Sequence, residues 1–92
     1  MKGTTSSGFN FDANDRITND WRFVKALTAI EKGDDVEKLY ASTQLVNLLL
    51  GEKGEAALCE HVAEADGTVP TDKLMREAGE ILSLMRGEVK NS

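Results

Sequence analysis

Apolar residues recur at three- and four-residue intervals in four stretches of this chain, each bracketed by residues that start or stop helices. In the first, from about Ile17 to Glu31, Ile17, Trp21, Phe23, Val24, Leu27 and Ile30 fall on one half of a helical cylinder. Arg22, Lys25 and Lys32 lie largely opposite, Asp15 or Thr18 can cap the start, and Gly33 can provide the left-handed residue beyond the end. Asp34 and Asp35 precede a second stretch, about Val36 to Leu50, closed by Gly51. Its stripe of Val36, Leu39, Tyr40, Val46 and Leu50 is that of an ordinary core-facing helix. The far side carries a second apolar face of Ala41, Leu45 and Leu48. A helix apolar all round is normally buried on several sides, so these residues meet neighbours within the chain or, in part, another subunit. A third, alanine-rich helix is expected over about Glu52 to Ala65. A fourth, about Thr71 to Arg86, carries Leu74, Ala78, Ile81, Leu82 and Met85 on one side.

The ends differ in character. Residues 1–8 are small and polar and are expected to be flexible. Phe9 and Phe11 then alternate with polar neighbours, which places both rings on one side of a short extended segment. Two aromatics cannot hold a strand alone, so this segment must lie against the helices or against another molecule. The expected architecture is all-α: a small bundle of about four helices over residues 9–87, a short extended amino-terminal segment, and a polar tail over 88–92. Phe9, Phe11, Leu45 and Leu48 are the candidate protein-interaction residues.

Charge and composition narrow the function. Ninety-two residues form one domain, and the formal net charge is −5. That sign opposes a phosphate backbone, so nucleic acid is not an expected partner. No apolar run approaches the length that crosses a bilayer, and the first residues lack the apolar core of a signal peptide. A single cysteine, Cys59, suits a reducing compartment. A cytoplasmic protein without membrane partners is expected.

The stretch Glu64-Ala65-Asp66-Gly67-Thr68-Val69 has the look of the middle of a calcium-binding loop. With Gly67 at the sixth position, however, the first ligand falls on Val62 and the twelfth on Lys73. The first position needs an oxygen and the last a bidentate carboxylate, so the loop reads instead as a helix connector. In that reading Val69 plugs into the core and Pro70-Thr71 opens the last helix. Cys59 and His61 point about 200° apart on a helix and cannot share a metal. Asp34-Asp35 and Glu52/Glu55 sit where carboxylates complement helix dipoles. No catalytic set, cofactor or metal site emerges, and an enzyme is not expected.

The order of "FNFDAND", "TNDWRFVKAL", "LVNLLLGEKGEAALCEHV" and "DGTVPTDKLMREAGEIL" resembles the tail assembly chaperones of long-tailed bacteriophages and prophages. The resemblance spans roughly Phe9 to Met85 and carries no active-site motif. It implies a protein of the bacterial host cytoplasm that coats the tape-measure protein, keeps it soluble, self-associates upon it, and yields to tail-tube subunits. It also implies a second, longer form made by ribosomal frameshifting. Val89-Lys90-Asn91 can be encoded by a slippery GTA-AAA-AAC run. The alternative from another class is a small helical transcriptional or antitoxin-like regulator.

Overall fold

In the computed structural model, which describes residues 1–86, the first twelve residues form a hairpin in place of the expected flexible end. Strand β1 (Lys2–Thr4) pairs antiparallel with β2 (Asn10–Asp12), with Gly3 opposite Phe11. The Phe11 ring lies over Gly3 so closely that a Cβ there would sit 2.6 Å from the ring's Cζ. Only glycine leaves room for it. The turn between the strands closes through the Thr5 N–H to the Phe9 carbonyl (2.9 Å) and the Gly8 N–H to the Thr5 carbonyl (3.0 Å). Phe9, Phe11 and Ala13 descend from this hairpin into the core.

A 3-10 turn, Ile17–Asn19, follows, and helix α1 (Trp21–Lys32) begins one residue after it. Asp20 is the N-cap, not Asp15 or Thr18. Its carboxylate accepts from the Arg22 backbone N–H at 2.8 Å and from the guanidinium at 3.0 and 2.6 Å. Because Ile17 is outside the helix, the buried face is set from Phe23: Phe23 and Ala26 are buried, with Leu27 and Ile30 packed beside them. Trp21 and Val24, expected in the core stripe, are exposed instead.

Gly33, extended at φ −76° rather than left-handed because the chain runs straight into the next cap, and Asp34 connect α1 to α2 (Asp35–Val62), which opens on a reciprocal cap. The Glu37 N–H donates to Asp34 at 2.9 Å, and the Asp34 N–H donates to Glu37 at 3.1 Å. The described residues thus contain three helices rather than four, since α2 runs on past the expected stop at Gly51. It does not run straight. Gly51 has φ 74° and ψ 174°, which breaks the helix into two limbs. At the break, the Leu49 carbonyl accepts from the Asn14 backbone N–H at 3.0 Å, tying the end of the hairpin segment to the kink.

On the first limb the second apolar face is covered by the chain's own core, and part of the expected core stripe is not. Ala41, Leu45 and Leu49 are buried and Leu48 packs against the same core, whereas Val36, Leu39 and Tyr40 face solvent. Val46 and Leu50 are buried, as expected. Residues 41, 45, 48 and 49 stand at i, i+4, i+7 and i+8, the spacing of one stripe, and it is this stripe that meets α1 and the hairpin.

Helix α3 (Thr71–Arg86) is reached through a loop in which Gly67, at φ 89°, donates its N–H to the Glu64 carbonyl at 2.9 Å. The Asp66 carboxylate accepts the Thr68 N–H at 2.9 Å, which holds its carboxyl below the usual range. Val69 sits at the rim of a groove rather than in the core. Ala78 and Ile81 complete the core with Leu58 from the second limb of α2. Val89-Lys90-Asn91, the candidate slippery site, lies outside the described residues.

Candidate binding surface

The four residues singled out as interaction candidates belong to the chain's own interior. Phe9, Phe11 and Leu45 are buried, and Leu48 is half-buried against the same cluster. The hairpin explains the first two, because β1 covers what would otherwise be a lone aromatic segment. For Leu45 and Leu48 the reason is the helix phase described above. None offers a free apolar surface.

The apolar groups that the core leaves outside are elsewhere. Val36, Leu39 and Tyr40 stand on the first two turns of α2, at i, i+3 and i+4, and are 76%, 60% and 65% exposed. Thr43, at i+7, continues the same solvent face. These turns come immediately after the Asp34–Glu37 cap, where the helix is held by its own local hydrogen bonds. The stripe is therefore held in place without being covered.

Beside it lies a groove of about 290 Å³ between α2 and the start of α3, with Leu39, Val46, Val69, Leu74 and Met75 on its walls. Ser42, Thr43 and Thr71 are its polar edge, and Glu55 approaches from beyond the kink. Asn47 on the first limb donates to Glu55 on the second at 3.3 Å. That bond bridges the kink next to the groove. The stripe and groove together form a rigid apolar ledge with a concave floor. Such a shape accepts side chains from an amphipathic helix.

The chemistry-bearing side chains gather at a different place. Ser7 donates to Glu77 Oε1 at 2.8 Å, Thr5 donates to the same oxygen at 2.7 Å, and Ser7 Oγ lies 2.9 Å from His61 Nε2. Nucleophilic catalysis requires the imidazole to accept the serine proton and the carboxylate to orient the imidazole. Here Glu77 accepts from Ser7 and Thr5 instead of orienting the imidazole. The His61 ring also stacks at a tilt on Phe9, with centroids 5.2 Å apart. Ser6 adds bonds from its N–H and hydroxyl to Glu80 at 2.6 and 2.8 Å. The cluster clamps the hairpin turn onto α3 and the end of α2, and it satisfies Glu77, which is only 6% exposed.

Among the described residues no three His, Cys, Asp or Glu side chains converge as metal ligands, and Cys59 is half-buried and free. No described helix is long and apolar enough to cross a membrane. Compared with family models, with curated proteins and with solved structures, the chain matches none.

Proposed function

We infer that this chain is a non-catalytic holding protein for a helical client, of the kind represented by phage tail assembly chaperones. The observation that carries the reading is the uncovered apolar stripe of Val36, Leu39 and Tyr40 beside the groove of Val69, Leu74 and Met75. A contiguous apolar patch on a small acidic chain marks a contact for a partner, and the net charge of −5 keeps the chain soluble while that patch is empty. The sequence resemblance supplies the identity of the client, the tape-measure protein. Self-association on that client, hand-over to tail-tube subunits, a longer frameshifted form and residence in the bacterial cytoplasm belong to the same reading.

The test is co-expression with the long open reading frame that such a gene would have beside it. The unaltered chain should co-purify with that product. Leu39→Asp with Tyr40→Asp should abolish co-purification while far-UV circular dichroism stays unchanged, because both side chains are exposed. Co-purification that survives both substitutions removes the ledge from the reading. Tight, salt-sensitive binding to duplex DNA by the chain alone would favour the regulator instead.

A further inference from the structure

A second surface lies on the opposite flank of α2, along α1, and carries two lysines. Glu37 and Leu39 are two residues apart, so they point about 200° from each other. Leu39 borders the groove described above, while Glu37 closes one of about 470 Å³ that runs along α1. Trp21, Lys25, Thr28 and Lys32 line this second groove at i, i+4, i+7 and i+11, a single stripe over about 16 Å of helix. Val24 flanks the stripe. The Thr28 hydroxyl is turned inward, donating to the Val24 carbonyl at 2.9 Å, so the side chain's methyl is left for the groove.

Two features of this stripe lack an internal explanation. Trp21 is 73% exposed, although it is the largest apolar side chain of the protein and its only tryptophan. Lys25 and Lys32 are exposed and form no ion pair among the described residues, although the chain has five more acidic than basic side chains. Arg22, next to the indole, is by contrast already paired with Asp20 at 2.6 Å. An aromatic anchor at the start of a helical stripe that continues through two cations is the composition of an interface anchor with a charged flank.

We propose that the α1 groove binds an acidic amphipathic peptide segment of a partner protein. Its aliphatic side chains cover Trp21 and Val24, and its carboxylates meet Lys25 and Lys32. Charge complementarity selects carboxylates. The apolar floor selects a peptide over a polynucleotide, whose dense phosphate charge would find two cations about 10 Å apart along the stripe. This surface is independent of the client ledge, so either can fail without the other.

Trp21 makes the test direct, since all indole emission comes from the groove. The probe is a short synthetic helical peptide with leucine along one face and glutamate elsewhere, set against the same peptide with lysine in place of glutamate. The glutamate peptide should shift Trp21 emission to the blue in a saturable way, and the lysine peptide should not. Lys25→Glu with Lys32→Glu should weaken the glutamate peptide roughly tenfold or more and admit the lysine peptide. Raising salt until the Debye length is about 3 Å should weaken binding to the unaltered chain, which asks the same question without any substitution. No saturable shift, equal response to both peptides, or insensitivity to salt would overturn the proposal. Tighter binding of single-stranded oligothymidylate than of the glutamate peptide would replace it with a nucleic-acid surface.

Discussion

Truncating Leu45 and Leu39 to alanine, one at a time, sets the two faces of the first limb of α2 against each other. Leu45 is 2% exposed and Leu39 is 60% exposed. Leu45→Ala removes a fully buried side chain from a core that includes Ala41, Leu49 and Phe23, and such truncations cost about 2–5 kcal/mol. Leu39 buries less than half of its surface, so by the about 1.5–3 kcal/mol for complete burial its truncation costs roughly 1 kcal/mol or less. A domain of this length loses about 4–8 °C of melting temperature per kcal/mol. Leu45→Ala should therefore melt at least about 8 °C below the unaltered chain, and Leu39→Ala should lose less, about 8 °C at most. Thermal circular dichroism at 222 nm, under identical buffer, measures both. Greater destabilisation by Leu39→Ala would mean that α2 presents the Val36, Leu39 and Tyr40 stripe to the core. The same comparison with glutamate sharpens the contrast. Leu45→Glu places a charge where it cannot be solvated and should leave the chain unfolded, while Leu39→Glu should fold.

Three further outcomes follow from the fold. Gly51→Ala forces a side chain into a backbone conformation that is essentially restricted to glycine, and nothing nearby clashes, so the cost of about 1–3 kcal/mol in denaturant unfolding is backbone strain alone. Thr5→Val removes a buried donor to Glu77 and the acceptor of the Phe9 N–H. It should lower stability by about 1–3 kcal/mol, whereas Thr4→Val on the exposed strand edge should not. The Arg22 guanidinium bonded to Asp20 lowers that carboxyl from 3.8 to about 2, so its contribution is present above about pH 4 and is lost as pH falls towards 2. A carboxyl-carbon NMR titration should give that low midpoint, and Arg22→Gln should raise it.

The parts of this fold that were legible in the sequence are those fixed by neighbours along the chain. Asp34 with Glu37 three residues on, Gly33 and Gly51 as interruptions, and the Asp66-Gly67 turn before Pro70 all constrain the backbone locally, and each sits where its chemistry put it. The hairpin was not legible, because its strands of three residues have no usable period. What holds it is long-range: Phe11 over Gly3, and Thr5, Ser6 and Ser7 against carboxylates more than sixty residues away. The faces of α1 and α2 were misread because each helix carries apolar residues around most of its circumference. Periodicity then allows more than one stripe. Counting from the N-cap Asp20 rather than from Ile17 would have singled out Phe23, Ala26, Leu27 and Ile30, a signal present in the residues but dependent on knowing where the helix starts. The exposed ledge was hidden for the same reason, since Val36, Leu39 and Tyr40 have the spacing of any core stripe.

The proposal that a helical client rests on the ledge between α2 and α3 can be checked by methyl NMR of the chain titrated with the tape-measure protein. Methyl groups of Val36, Leu39, Val69, Leu74 and Met75 are the ones at that surface, while those of Leu45, Leu49, Leu58 and Ile81 are buried in the core. Saturable shifts confined to the first group and its immediate neighbours, with the core signals in place, are expected. Shifts centred on the core methyls, or a saturable complex that leaves the ledge methyls unmoved, would contradict the proposal.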